Sequence, residues 1–394
     1  MSLPSPPPVP NLDYPGVVCP DMTQVRDVAV VGAGVLGLAT GRAIAARGRD
    51  VVVLEQAHIG HDGAGSKGSC RIFRLGYPEA SYVRSAMQAR ELWYALESES
   101  GLKILHPTPH LTFGAGLESV RAAMQEAGAP CEVLTAEQAA AQFPAIRAGG
   151  PALLEPESCV TAADQALAAL ARGVPDIRTG VRVTGISDDG RQVTLRTSAG
   201  NIVARVAVVT AGPWSSGLLS SAGVQVPSRA TLEHVAYLRP RPDSAAAGPR
   251  ASVRTPIFIC HDERSPYGLP VPGSDLYKIG IHPSGPTVDP DAQQSAGTVP
   301  ELADELADVA RRLLPDYDPA PASTERCIYD NSPDEDFILD RTGNVVVGSG
   351  TSGHGFKFGP LFGEWLATLA TGQPGVARDE RFALARFARP VRAG

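Results

Sequence analysis

Apolar positions near the start of the chain come in short uninterrupted runs, the pattern of strands buried on both faces. Asp27 to Val31 is one such run and Asp50 to Leu54 is a second. Between them, Gly32-Ala33-Gly34-Val35-Leu36-Gly37 leads into an Ala-rich stretch that reads as a helix to Arg47, with Gly48 as its C-terminal cap. Strand, helix and strand make a βαβ unit, and Glu55 stands at the end of its second strand. A 3.6-residue period predicts a helix over 78–100, with Val83, Met87, Arg90, Leu92 and Leu96 on a face around Trp93-Tyr94. Shorter helices are expected over 117–127, 135–142 and 164–171. Three strands are expected over 181–186, 192–197 and 202–210, joined by turns at Asp189-Gly190 and Ala199-Gly200. The Pro-, Arg- and Ala-rich stretch 239–256 reads as a loop. Strands over 257–260 and 276–281, a helix over 301–314 stopped by Pro315, a buried strand over 344–348 and a helix over 360–370 complete the pattern.

The length of 394 residues suggests two domains, and 43 % hydrophobic residues suffice for sizeable cores. A net charge of −7 argues against a nucleic-acid partner. No apolar run approaches the ~18 residues of a membrane span, so no membrane association is expected. The 6 cysteines include no CxxC pair, which points to reduced thiols and a cytoplasmic protein. The Pro-rich residues 1–25 read as a disordered extension rather than a signal peptide. The histidines outside the motifs below make no metal-binding pattern, and no metal is expected. GxSxG, SxxK and GK[ST] motifs are absent, which removes the common hydrolase and P-loop classes.

The candidate chemistry begins at Gly32, Gly34 and Gly37. Gly32 permits a tight turn, Gly34 lets the backbone approach a pyrophosphate, and Gly37 lets helix and strand pack closely. The free N–H groups of the helix then face the phosphates. Glu55 suits a ribose diol, and without a following Arg it favours FAD or NAD over NADP. A second glycine-rich turn, Gly348 to Pro360, follows a buried strand and precedes a helix, which suits a flavin ring lying across a helix N-terminus. Lys278 lies in an otherwise apolar strand pattern, Leu276-Tyr-Lys-Ile-Gly-Ile281, where a charge needs a reason.

Several segments, in order, resemble the monomeric sarcosine oxidase and N-methyltryptophan oxidase family of FAD-dependent amine oxidoreductases. They are Gly65-Ser-Lys-Gly-Ser-Cys-Arg71-Ile-Phe-Arg74-Leu-Gly-Tyr77 with Glu91-Leu-Trp-Tyr94; Tyr267-Gly-Leu-Pro270 with Lys278-Ile-Gly-Ile-His282; Cys327-Ile-Tyr329 with Asp334 to Asp340; and Ser352-Gly-His-Gly-Phe-Lys-Phe358. The resemblance spans about residues 26–372. It implies an α/β fold, with a Rossmann-like FAD-binding domain over 26–104, 150–227 and 325–386. An antiparallel-sheet substrate domain would occupy 105–149 and 228–324.

The resemblance also implies roles. Cys327 would carry FAD covalently through the flavin 8α position, aided by a cation that lowers the thiol pKa. Arg71, Gly353, His354, Gly355 and Phe356 would hold the flavin. Arg74 and Lys357 would grip a substrate carboxylate, an arrangement that suits a planar guanidinium beside an ammonium. Lys278 would favour electron transfer to O2, and Tyr267, His282 and Tyr329 would wall the pocket. The expected enzyme is a monomer that oxidises an N-methyl amino acid to an imine with release of H2O2. Two other readings stay open: oxidation of a cyclic amine or imine carboxylate such as proline, pipecolate or a piperideine carboxylate, and a dehydrogenase passing electrons to a partner protein. Lys67 stands where these oxidases commonly carry a His. Asp330 and Asn331 replace Thr-rich sequence, which adds a carboxylate expected near the pocket mouth.

Overall fold

The computed structural model describes residues 25–244, 246, 255–282, 285–292, 300–373, 375 and 378–387. The extension expected over 1–25 lies outside these residues except for Val25, as does much of the loop expected over 239–256. The two apolar runs at the start form the strands Arg26–Val31 and Val51–Leu54, which lie side by side in parallel. The helix Val35–Ala46 joins them and stops at Arg47, where Gly48 takes a left-handed conformation with φ +70°. On the other side, Arg26–Val31 pairs with the long strand Gly200–Val209. The first half of that strand continues the antiparallel ribbon Val183–Asp188 and Val193–Thr197, and its second half lies parallel to Val345–Ser349. One sheet therefore joins the beginning, middle and end of the described chain.

Close helix packing brings the end of the chain back. The helix Gly359–Thr371 lies against Val35–Ala46 so tightly that a Cβ on Gly363 would sit 2.6 Å from the Ala39 carbonyl carbon. A Cβ on Gly359 would come within 2.5 Å of Val35 Cγ2. This approach sets the turn before the second helix beside the glycine-rich turn before the first.

The second sheet runs Ser323–Asn331, Arg229–Leu238, Tyr277–Ile281, Pro266–Pro270, Ile257–His261, His110–Gly114, Ala152–Glu155, Glu132–Leu134. It departs from the expected all-antiparallel order at one place: Ile257–His261 and His110–Gly114 are parallel. These two strands come from distant stretches of chain, so no tight turn sets their relative direction. The helix Pro300–Leu313 covers this sheet with Leu306, Val309, Ala310 and Leu313. By strand pairing, Ala152–Glu155 and Ser323–Asn331 belong here, although the sequence partition grouped them with the cofactor-binding segments. A third sheet of Cys70–Phe73, Cys159–Ala162 and Leu105–Pro107 carries Arg71 and leads directly to Arg74. Among the described residues, no helix is long and apolar enough to cross a membrane.

Candidate active site

A cavity of about 980 Å³ is lined from both large sheets. Its walls include every residue singled out from the sequence except Gly37. Gly37 instead faces the turn itself, where a Cβ would lie 1.8 Å from the Gly32 carbonyl oxygen. Gly32 has φ +96°, and a Cβ there would meet the Thr210 carbonyl oxygen at 2.6 Å. Both positions therefore require glycine, and the result is a bare backbone cradle at the helix start. The Val35 N–H at that start donates to Ser66 Oγ at 3.0 Å, which draws the loop after the βαβ unit over the turn.

Glu55 closes this end of the cavity. Its carboxylate accepts from the Ala33 N–H at 2.9 Å and the Ala57 N–H at 3.1 Å, and His61 Nε2 lies 3.4 Å away. Burial works against its charged form, but the His61 and backbone hydrogen bonds outweigh burial and hold the carboxyl below the usual range. His61 has no role in the sequence reading. Its loop position gives no periodic signal, and only the fold brings it to Glu55.

The other end is built around cations. Lys357 is only 4 % exposed, and its Nζ donates to Tyr77 Oη at 2.8 Å and to the His354 carbonyl at 3.0 Å. With Tyr77 Oη accepting from Lys357, its own proton points to His354 Nδ1, 3.2 Å away. His354 Nε2 then donates to the Glu335 carbonyl at 3.1 Å. This order of donors requires a neutral His354, in accord with its pKa, which burial and the Lys357 charge push well down. Burial, and next the Arg74 charge, also push the Lys357 pKa well below that of a free lysine. The Arg74 guanidinium stacks 3.9 Å from the Tyr77 ring centroid and has no ion-pair partner among the described residues. Arg74 and Lys357 thus converge on one tyrosine.

Lys278 is 6 % exposed, and its Nζ donates to the Cys70 carbonyl at 3.4 Å and lies 5.8 Å from the Tyr237 ring centroid. Burial lowers its pKa. Arg71 donates to the backbone carbonyls of Gly65, Lys67 and Cys70 and lies over the Phe356 ring. Tyr267 and Tyr329 both line the cavity, and the His282 ring stands 5.6 Å from that of Tyr329. A Cβ on Gly353, at φ +72°, would sit 2.2 Å from the Tyr329 ring, so glycine is needed for the turn to pass.

Two expectations change. The Cys327 thiol was expected to be acidified; burial instead pushes its pKa up, against the opposing pull of Arg71 and Lys278. Asp330 was expected near the mouth. It is buried, accepts from Ser349 Oγ at 2.8 Å and from the Gly350 N–H at 2.7 Å, and anchors the second glycine-rich turn. Lys67 pairs with Asp62 at 3.4 Å. Among the described residues no cluster could hold a metal ion.

The cavity's bare glycine cradle, the buried acid at one end and the second glycine turn at the other fit a flavin dinucleotide. Comparison with known proteins agrees. Residues 27–369 match the model of the FAD dependent oxidoreductase family. The chain is 33 % identical to peroxisomal sarcosine oxidase of Mus musculus, over 93 % of this chain and 97 % of the mouse protein. It is 31 % identical to N-methyl-L-tryptophan oxidase of Yersinia pestis, over 92 % of this chain and 99 % of that enzyme. Among solved structures it resembles NikD, an unusual amino acid oxidase essential for nikkomycin biosynthesis, with a TM-score of 0.81 and 26 % identity over 92 % of this chain and 98 % of NikD.

Proposed function

Because the chain belongs to the FAD dependent oxidoreductase family, in its sarcosine oxidase and N-methyltryptophan oxidase branch, we propose that it oxidises a secondary amino acid, an N-methyl amino acid such as sarcosine, to an imine with release of H2O2. The observation that carries this reading is the convergence of Arg74 and Lys357 on Tyr77 inside the cavity, with no carboxylate of the protein paired to either among the described residues. Two cations set against the same tyrosine repel each other, and a bound carboxylate relieves that repulsion with charge-assisted hydrogen bonds.

FAD, when bound, would supply the acceptor for the hydride lost from the carbon beside the amine and the route of those two electrons to O2. The protein's own residues do the rest. Gly32, Gly34 and Glu55 hold the dinucleotide end, with Gly37 packing the turn, while Arg71, Gly353, His354, Gly355 and Phe356 bound the flavin end. Arg74 and Lys357 fix the carboxylate, and fixing it orients the amine carbon for reaction. His282, kept neutral as burial lowers its pKa, takes the proton that the substrate ammonium must lose. Tyr267 and Tyr329 form the polar wall beside it. Lys278 sets a buried positive charge where O2 gains its first electron. Cys327, lining the cavity on the strand Ser323–Asn331, is the point of covalent flavin attachment. The enzyme acts as a cytoplasmic monomer.

A panel of sarcosine, other N-methyl amino acids, proline and pipecolate, read by H2O2 formation, tests the substrate class. N-Methyl amino acids are expected to be turned over best; activity confined to proline or pipecolate overturns that class. No H2O2 from a substrate that reduces the protein anaerobically overturns the oxidase. Acid-precipitated wild-type protein should stay yellow and the Cys327→Ser variant should release its colour, whereas colourless wild-type precipitate refutes covalent attachment. Lys278→Met keeps the side-chain length and removes the charge. It should slow reoxidation by O2 by ~10²-fold or more, the scale for removing one preorganised electrostatic group, while anaerobic reduction by substrate slows less. Stopped-flow measurement of the two half-reactions separates these, and equal losses would make Lys278 a positioning group.

A further inference from the structure

Behind the Arg74 wall lies a carboxylate that does not itself line the cavity. Glu155 ends the strand Ala152–Glu155 in the second sheet and is fully buried. Its Oε2 accepts from the backbone N–H of Leu75 at 3.0 Å, from that of Gly76 at 2.8 Å and from Ser158 Oγ at 3.2 Å. Its Oε1 accepts from His110 Nδ1 at 2.7 Å. His110 is the residue directly opposite Glu155 in the antiparallel ladder and is equally buried. The fit from the other side is as tight, because a Cβ on Gly76 would lie 2.5 Å from Glu155 Oε1.

We propose that Glu155 is the positioning residue of the substrate-carboxylate clamp: by gripping the backbone N–H groups of Leu75 and Gly76 it fixes Arg74 on one side of them and Tyr77, the partner of Lys357, on the other. The proposal rests on the reading of Arg74 and Lys357 as that clamp. The segment 74–77 leaves the strand Cys70–Phe73 without a sheet partner of its own. Two adjacent buried N–H groups there need an acceptor, and a carboxylate meets both with one oxygen. Stacking of Arg74 on Tyr77 and the Lys357–Tyr77 hydrogen bond then carry that fixed backbone to both cations. Glu155 comes from a different sheet, so it also locks the clamp segment onto the second sheet. The charge state agrees: burial raises the Glu155 pKa, but His110, Arg74 and the Gly76 N–H prevail and hold it at about 2. Glu155 is therefore a carboxylate throughout the pH range of turnover. Its negative charge also interacts favourably with the Arg74 charge, with no ion pair between the two.

The test uses the flavin-loaded enzyme and propionate as the probe, its dissociation constant read from the flavin absorbance change, with Tm and flavin content measured alongside. Glu155→Ala should weaken propionate binding roughly 10- to 100-fold, the range for a sub-ångström to ångström misplacement of a binding group. KM for the amino-acid substrate should rise more than kcat falls. Glu155→Gln, whose single amide oxygen can still take both N–H groups, should recover most of the affinity. In the Arg74→Ala background, Glu155→Ala should add little. Should Glu155→Ala fail to fold, Gly76→Ala crowds the same carboxylate from the opposite side and should produce the same loss of propionate affinity. A lowered Tm with unchanged propionate affinity in the Glu155 and Gly76 variants overturns the proposal, as do losses that simply multiply with Arg74→Ala. If Arg74→Ala alone leaves propionate binding intact, the clamp itself is wrong, and the role given to Glu155 falls with it.

Discussion

Three positive charges, Arg74, Lys278 and Lys357, face one cavity, and none touches a carboxylate among the described residues. Burying a charge without a counter-ion is costly, so the fold must offer each of them other partners. Lys357 has a tyrosine oxygen and a backbone carbonyl, Lys278 a long contact to a carbonyl and the Tyr237 ring, and Arg74 the face of an aromatic ring. These partners tolerate the charge without neutralising it. What they leave is a positive field in the cavity, suited to anions. A substrate carboxylate and the negative charge that O2 acquires on its first reduction are both anions of this kind.

The rest of the structure serves that field by rigidity. Lys278 sits in the middle of a sheet, paired to Tyr237 on one side and Leu269 on the other, so its backbone has no freedom to withdraw the charge. Lys357 lies in a tight turn just before the helix Gly359–Thr371, and the Trp93 indole donates to its carbonyl at 2.7 Å. Arg74 is the exception, since it belongs to no strand, and it is the one cation whose backbone neighbours are held by a buried carboxylate from elsewhere. Close approach of the two helices through Gly359 and Gly363 brings these parts within reach of the dinucleotide cradle. Residues more than three hundred positions apart thereby share one cavity.

Much of this was legible in the sequence, for identifiable reasons. The βαβ unit shows itself through uninterrupted apolar runs around a glycine turn, and Lys278 through a charge in an apolar strand. Lys357 stands out between two phenylalanines. What stayed hidden depends on long-range pairing. Glu155 ends an apolar run, Ala152-Leu-Leu, and an acid there signals buried donors, but nothing local says that those donors are the N–H groups of Leu75 and Gly76. The parallel contact between Ile257–His261 and His110–Gly114, and the place of Ser323–Asn331 in the second sheet, are likewise matters of which distant strands meet. Electrostatics was misjudged at Cys327, where burial outweighs two nearby cations, and at Asp330, which turned out to serve a backbone turn rather than the solvent. In both cases the residue type was informative and its degree of burial was not.

The central claim is that Lys357 is a buried cation whose pKa burial and the Arg74 charge push well down and which a bound anion would stabilise, and the pH dependence of carboxylate binding tests it most directly. The charged and titratable groups around its ammonium are Arg74, Glu155, Tyr77, His282 and His354. Burial pushes the Tyr77 pKa up to about 12 and lowers those of His282 and His354, while Glu155 is held at about 2. Lys357 is therefore the group expected to titrate. Calorimetry of propionate binding to the flavin-loaded enzyme, from about pH 6 to pH 10 in buffers of different ionisation enthalpy, reports both affinity and protons exchanged. The account predicts affinity that falls as the pH rises through a Lys357 pKa well below the ordinary ~10.4, with proton uptake on binding at the upper end, and loss of both effects in Lys357→Met. Affinity that stays constant to about pH 10 with no proton taken up would contradict it.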